Sequence, residues 1–222
     1  MVARALALSL GQLTERRIFA IFVQSLLIAL VVTAILAALA GKGAAMLAER
    51  WIGDASSGLA AGLTVILVFV FAFRAVAIPV LSLFGDAVVA AVETKHYPQA
   101  AALAKPAGFG LSARLGLMSL LRFVLANLVA LPLYVVLIFT AIGPLILFVL
   151  VNGLLLGRDL GEMVAVRHLD AAGAKAWLRE TRGQRALLGL AVTGVFMIPF
   201  ANFIAPMLGA AAATHLFHGN RT

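Results

Sequence analysis

Two consecutive arginines, Arg16 and Arg17, stand directly before a long apolar stretch. The first turn of a helix offers free backbone N–H groups and the positive end of the helix dipole, which together attract anions. The planar guanidinium of arginine matches the oxygens of sulfate and phosphate. The pair therefore indicates either an oxyanion site or topology-setting charges that contact lipid phosphate.

Another arginine, Arg74, lies inside the apolar segment 58–84. An ionisable side chain within a membrane helix is a candidate for function, because burying its charge in lipid is costly. Three roles fit this position. The side chain can line an anion path, pair with an acid of another helix, or extend toward water near Pro79.

Two acids, Asp86 and Glu93, lie seven residues apart and so share one face of a helix. Paired carboxylates can carry out acid–base chemistry. Here we favour structural ion pairs with arginines of the segment 158–185, Arg158 among them, because unpaired acids would repel an anion.

Histidines give little indication of a metal site. His215 and His218 are three residues apart, but two histidines are too few for zinc and the sequence has no cysteine. We therefore expect no metal and no cofactor.

The composition predicts the environment in which these residues act. Apolar residues make up 64% of the 222 residues and charged residues only 12%, with a mean hydropathy of +1.10. A soluble fold of this size cannot bury so much apolar surface. We predict an all-α, polytopic integral membrane protein with a single membrane domain over residues 1–222.

Two classes of function are disfavoured. The net charge of +8 fits cytoplasmic loops rich in lysine and arginine, and no aromatic and basic pattern typical of a nucleic-acid module accompanies it. No phosphate-binding loop, zinc-protease motif, Ser-His-Asp order or dinucleotide fingerprint is visible, so we expect neither nucleic-acid binding nor enzymatic activity.

The first predicted span covers residues 18–40 and ends at Gly41-Lys42-Gly43. The second begins at Gly58 and continues as one helix to Tyr97, where Pro98 stops it. A helix of about 40 residues is about 60 Å long, so its Glu93 end should protrude into water.

The apolar stretch 115–156 is too long for a single span. The dipeptide Gly143-Pro144 marks a turn, which predicts a helical hairpin. With a hairpin here, most lysines and arginines outside the spans fall on the side of the N-terminus. The positive-inside rule makes that side cytoplasmic.

The last apolar stretch, 187–213, contains Pro199 and Pro206, and two prolines at this spacing break a helix. It forms either one kinked span or two half-helices that meet at membrane depth.

Short interfacial helices are predicted at two places, residues 2–10 and residues 170–183. In the second, Trp177 and Leu178 are the expected membrane anchors.

Three motifs, in order along the chain, resemble the family of bacterial etoposide-induced-protein domain proteins, which includes the CysZ-like sulfate permeases. They are the segment 83–98 with Val92-Glu93 and His96-Tyr97-Pro98, the segment 152–158 with Asn152 and Gly157-Arg158, and the segment 199–206 with Asn202.

The resemblance implies two long spanning helices, two membrane-inserted helical hairpins and short interfacial helices. It also implies a homo-oligomer that takes up sulfate for cysteine synthesis. In the family, sulfate binds at a short turn before the first long helix. The matching residues here are Leu13, Thr14, Glu15, Arg16 and Arg17, and the acid at Glu15 departs from the family's turn.

We therefore predict a sulfate permease or channel in the bacterial inner membrane, with sulfate and the lipid bilayer as partners. Arg74 and Asn202 are the predicted pathway residues. Two alternatives remain open: a channel for another small anion or solute, and a membrane scaffold that transports nothing.

Overall fold

The computed structural model describes residues 1–51, 54–106 and 108–220, and in these ranges the regular structure is entirely helical. The α-helices are α1 (Val2–Gln12), α2 (Arg16–Trp51), α3 (Asp54–Leu83), α4 (Gly85–His96), α5 (Pro98–Leu103), α6 (Phe109–Leu137), α7 (Gly143–Ala165), α8 (Ala171–Glu180), α9 (Arg182–Met197) and α10 (Ala205–Gly219). The chain divides into two compact units, one of Met1–Ile18 with Gly85–Thr222 and one of Phe19–Phe84.

Within the unit Phe19–Phe84, helix α2 is longer than predicted. The expected end at Gly41-Lys42-Gly43 is wrong, because α2 continues to Trp51. Gly41 instead serves close packing against α3. A Cβ atom on Gly41 would lie 2.5 Å from a methyl carbon of Val65 and 3.3 Å from the carbonyl oxygen of Ala61. Small residues permit such close approach between membrane helices.

The single helix predicted from Gly58 to Tyr97 is also wrong. Helix α3 ends at Leu83 and α4 begins at Gly85. Glycine is a poor helix former. Gly85 packs against Met163, whose sulfur would lie 3.2 Å from an added Cβ atom. The predicted stop before Pro98 is confirmed, since α4 ends at His96.

The segment predicted as a hairpin forms α6 and α7, which pack against each other. A 3₁₀ turn at Ile138–Thr140 and the positive φ of Ala141 (50°) reverse the chain. The backbone N–H of Gly143 donates to Thr140 Oγ1 at 3.1 Å and so helps to start α7.

Of the two alternatives for the last apolar stretch, the structure has the pair of half-helices. Helices α9 and α10 have 16 and 15 residues, which is short of the roughly 20 that a span needs. Phe200, with φ 67°, and a 3₁₀ turn at Ala201–Phe203 separate them.

The predicted interfacial helices form α1 and α8. The Asp170 side chain caps α8 by accepting the N–H of Gly173 at 2.8 Å. The assignment of Trp177 as a membrane anchor is wrong, because only 7% of this residue is exposed. Its ring packs against Phe217 with centroids 5.0 Å apart. The amphipathic pattern identified the helix but not which apolar residue the protein itself covers.

Among the described residues, three helices are long and apolar enough to cross a membrane: Arg16–Trp51, Gly110–Thr140 and Gly143–Ala165. In their most apolar windows only 22%, 6% and 17% of residues are buried within the protein. Apolar helices left this exposed require lipid around them. The chain is an integral membrane protein.

The closest helix contact joins α7 to α9. Gly153, Gly157 and Gly161 recur every fourth residue and so lie along one face of α7. A Cβ atom on Gly189 of α9 would collide with the backbone of Gly153 and Gly157. The two backbones touch, so no side chain fits between them.

Substituting Gly189 by alanine should separate α7 from α9. We expect Gly189→Ala to destabilise the protein by about 1–3 kcal/mol, because the obstruction is backbone and cannot rotate away. The measurement is the midpoint of thermal unfolding in detergent.

The matched control is Gly194→Ala in the same helix, where nothing lies within 4 Å of the added Cβ atom. It should be neutral or stabilising by up to about 1 kcal/mol through helix propensity. Equal midpoints for the two variants would contradict the backbone contact.

Candidate functional site

The predicted arginine pair lies at the start of α2. Arg16 and Arg17 are both exposed and are the first two residues of that helix. No carboxylate of the described residues lies within ion-pair distance of either guanidinium. The first N–H groups of a helix lack intrahelical acceptors. Two free cations and a helix start therefore coincide.

The turn before the arginines is tightened by local hydrogen bonds. The N–H of Leu13 donates to the backbone carbonyl oxygen of Leu10 at 3.3 Å, and the N–H of Glu15 donates to that of Gln12 at 2.9 Å. The hydroxyl of Thr14 donates to the carbonyl oxygen of Gly11 at 3.1 Å. An anion at this turn would therefore rely on the arginines and on the first N–H groups of α2.

Glu15, the residue that departs from the family's turn, is paired. Its carboxylate lies 2.7 Å from Lys95 Nζ and 3.7 Å from His96 Nε2. Both partners belong to the last turn of α4. The negative charge of Glu15 is thereby directed to α4 and offset there.

A buried ion-pair cluster lies on the same helix, centred on Glu93, whose side chain is 1% exposed. Its Oε2 accepts from Arg167 Nη2 at 3.2 Å. Its Oε1 accepts from His168 Nε2 at 2.6 Å and from His218 Nε2 at 3.4 Å. Burial raises the pKa of Glu93, but the two histidine hydrogen bonds and the Arg167 charge outweigh it and lower the pKa to about 2.

The cluster extends to α1 through His215. The amide of Gln12 donates to His215 Nε2 at 2.8 Å, so the ring proton resides on Nδ1 and is donated to the hydroxyl oxygen of Tyr97, also at 2.8 Å. Tyr97 in turn stacks on His218 with centroids 4.2 Å apart. Burial, with His96 and His218 nearby, lowers the pKa of His215 to about 4.

Three of these side chains form a set of metal-ligand types. The candidate ligand atoms of Glu93, His168 and His218 all lie within 4.8 Å of one another. Two imidazoles and a carboxylate suit a divalent transition metal. The Arg167 guanidinium on the same carboxylate opposes a second cation, and the histidine protons already occupy Oε1. The geometry favours a hydrogen-bonded ion-pair cluster.

The structure does not bring together the three predicted ion-pair residues. Glu93 pairs with Arg167, whereas Arg158 Nε lies 3.9 Å from Glu162 of its own helix. Asp86 is half-buried and makes no ion pair with the described residues. The expected segment 158–185 does contain Arg167, but spacing on one helix could not identify which arginine pairs with Glu93, or its two histidine partners.

The two predicted pathway residues, Arg74 and Asn202, belong to different units of the chain. Asn202 lies in the 3₁₀ turn between α9 and α10, is 2% exposed, and has a buried Oδ1 atom with no partner among the described residues. The side chain of Arg74 lies outside the described part of the chain.

The sequence reasoning missed a cavity of about 660 Å³ between α6, α7, α8 and α9. Its lining is strongly basic, with Arg114, Arg122, Arg158, Lys175, Arg179, Arg182 and Arg185. A signal was present, because residues 152–186 contain six lysines and arginines. Membrane topology and ion pairs with Asp86 and Glu93 account for such an excess in the sequence without a cavity.

Removing the charge of Glu93 should leave Arg167 buried without a counter-charge. We expect Glu93→Gln to lower the free energy of unfolding by about 3–5 kcal/mol at neutral pH. Because Glu93 has a lower pKa when folded, its contribution is complete above pH 4.5 and is lost as the pH falls toward 2. Thermal unfolding in detergent across this pH range measures the difference from wild type.

Asp86→Asn is the control, because Asp86 lies on the same helix and pairs with no cation among the residues that the structure describes; it should shift stability by no more than about 0.5 kcal/mol. A Glu93→Gln penalty that stayed constant from pH 5 to 2.5 would refute the paired carboxylate. His215 affects stability in a different pH range. Because its pKa is lowered in the folded state, the free energy of unfolding of wild type and of Glu93→Gln falls by the same amount as the pH decreases from 6.5 to about 4.

No curated protein and no solved structure matches the chain. The family described as Sulfate transporter CysZ/Etoposide-induced protein 2.4 matches residues 5–206, nearly the whole chain. The match includes the turn that carries Arg16 and Arg17, the ion-pair cluster up to His168, all of α9 and the first two residues of α10. A membrane protein of transporter type agrees with the apolar helices described above. The chain belongs to the Sulfate transporter CysZ/Etoposide-induced protein 2.4 family.

Proposed function

We propose that this protein is a permease or channel for inorganic sulfate, which it supplies to sulfate assimilation and cysteine synthesis. One observation carries the proposal. Arg16 and Arg17 are exposed at the N-terminus of a 36-residue apolar helix, and no described carboxylate pairs with them. Guanidinium groups and helix N–H groups are the donors that a tetrahedral oxyanion requires.

Sulfate collects first at this turn. Glu15 would repel the anion, but Lys95 at 2.7 Å offsets its charge. We call residues 13–17 the arginine turn. Lys95 is therefore a positioning residue for the arginine turn, although it lies on another helix. The hydrogen bonds of Leu13, Thr14 and Glu15 fix the turn, and the two arginines bind the ion.

Beyond the turn, Asn202 is the pathway residue in the unit that contains the half-helices. Its unpartnered Oδ1 atom lies where α9 and α10 are interrupted. Broken backbone at membrane depth is tolerated beside protein or water, and paired half-helices can form ion sites. Arg74 remains a pathway residue on sequence grounds alone.

The protein acts as a homo-oligomer in the bacterial inner membrane and transports without catalysing a reaction. Its apolar helices have exposed faces that lipid and neighbouring copies can cover.

Labelled sulfate uptake into vesicles that contain the purified protein tests this function. We expect saturable uptake by wild type. At low sulfate, the double variant Arg16→Gln, Arg17→Gln should reduce uptake by about tenfold or more, because two charge-assisted contacts are lost. The control is Arg4→Gln with Lys105→Gln, which removes two exposed charges elsewhere.

Uptake no greater than in empty vesicles, with folded protein, would reject sulfate transport in favour of another solute or a scaffold. Uptake that is equal in the double variant and its control would keep transport and reject the arginine turn.

The Glu15–Lys95 pair predicts effects of opposite sign. Glu15→Gln should tighten half-saturation by sulfate, and Lys95→Gln should weaken it, each by about two- to fivefold for an exposed pair. Both changes should shrink as ionic strength rises. Lys105→Gln is the control for Lys95→Gln. Changes of the same sign in both variants would contradict the proposed electrostatic role.

A further inference from the structure

The basic cavity between α6, α7, α8 and α9 has far more positive charge than its acids can offset. Arg122 lies 2.8 Å from Asp159 and 2.9 Å from Glu162, and Arg158 lies 3.9 Å from the same Glu162. These two carboxylates are the only acids within ion-pair distance of the lining among the described residues. Two of the seven cations are therefore paired.

The other five have no such partner. Arg114, Lys175, Arg179 and Arg182 are exposed, and no described carboxylate lies within ion-pair distance of any of them. Like charges held this close raise the free energy of the empty cavity and lower that of one containing an anion. Ordinary topology-setting charges need only be present in a loop, whereas these line one cavity.

Arg185 adds a buried cation to this set. It is 6% exposed, and its Nε donates to Thr181 Oγ1 at 3.1 Å while Nη2 donates to the carbonyl oxygen of Leu178. Its guanidinium lies 5.9 Å from the centroid of the Trp177 ring. Neutral groups thus hold its position, and no carboxylate in the described part of the chain lies at ion-pair distance from it. A buried charge without a counter-charge is costly unless a ligand provides one.

A second buried donor in the lining is also unused. Arg122 Nε is buried and has no hydrogen-bond partner among the described residues, although Nη2 of the same guanidinium is paired. An oxyanion oxygen would satisfy this N–H group. Unpartnered buried donors are uncommon and indicate a missing partner.

The lining also has an apolar part, formed by Leu111, Leu115 and Met118 of α6 and by Leu154 and Leu155 of α7. These leucines and the methionine belong to two helices that can cross the membrane. The cavity therefore offers cations beside hydrocarbon, and its volume lies within the range of small-molecule sites.

We propose that this basic cavity binds an anionic tetrahedral oxyanion group, phosphate or sulfate. The group arrives either as a free ion or as the headgroup of an anionic phospholipid. Guanidinium groups suit both sources, and the apolar part of the lining accommodates the second. The site uses none of the residues of the arginine turn and does not depend on transport.

The test is a cavity variant, Lys175→Gln, Arg179→Gln, Arg182→Gln, in a background of Arg16→Gln and Arg17→Gln that removes the arginine turn. Arg4→Gln, Lys42→Gln, Lys105→Gln in the same background is the control, because it removes equal charge outside the cavity. All six side chains are exposed, so we expect both proteins to fold. A single Arg182→Gln variant replaces the cavity variant if the latter does not.

Two probes distinguish the sources. Equilibrium binding of labelled sulfate and of inorganic phosphate reports the free ion, and phosphatidylglycerol retained on the protein in native mass spectrometry reports the headgroup. We expect the control to bind at least one probe and the cavity variant to bind it about tenfold more weakly.

If the cavity variant binds the free ions more weakly than the control does, the cavity is a site for sulfate or phosphate. If only its retention of phosphatidylglycerol falls, the cavity is a site for a lipid headgroup. Equal binding by cavity variant and control, or no binding of any probe by the control, overturns the proposal. If vesicles show no sulfate uptake while the cavity variant loses its ligand, the proposed function fails and this site remains.

Discussion

A carboxylate buried in a membrane protein must be neutralised where it lies, and Glu93 meets that constraint with groups from separate parts of the chain. Arg167 and His168 follow α7, and His218 belongs to α10. Each removes part of the cost of burying the charge, so separating α4 from either helix would expose an unpaired ion. Glu93 thereby joins α4 to α10 and to the segment that follows α7.

Residues next to the Glu93 cluster hold the arginine turn in place. Lys95 is two residues beyond Glu93 and contacts Glu15, while His215 is three residues before His218 and contacts Gln12. The turn is thus attached on both sides of Leu13 to elements that the buried carboxylate holds. The buried ion-pair cluster and the turn proposed to bind sulfate are in this way parts of one arrangement, although Arg16 and Arg17 form no ion pair with Glu93.

Local chemistry could be predicted from the sequence, whereas distant pairing could be predicted only as far as the segment 158–185, which contains Arg167. Gly143-Pro144 and the pair Pro199 and Pro206 act on their own backbone, so their turns could be located in advance. The end expected at Gly41 failed because that glycine serves packing against α3, a contact that sequence does not contain.

The candidate sites also differ in how far the sequence could predict them. The arginine pair at a helix start could be found by spacing, but Glu93 and His218 are 125 residues apart. The basic cavity arises only where four helices converge, so its lysines and arginines could be counted in the sequence but not placed.

The most direct test of the arginine turn is a structure of the protein with selenate, a tetrahedral dianion that resembles sulfate and scatters anomalously. We expect an anomalous peak within hydrogen-bond distance of the Arg16 and Arg17 guanidinium groups, at the start of α2. A well-ordered turn without a peak, at selenate concentrations that saturate sulfate uptake, would contradict it.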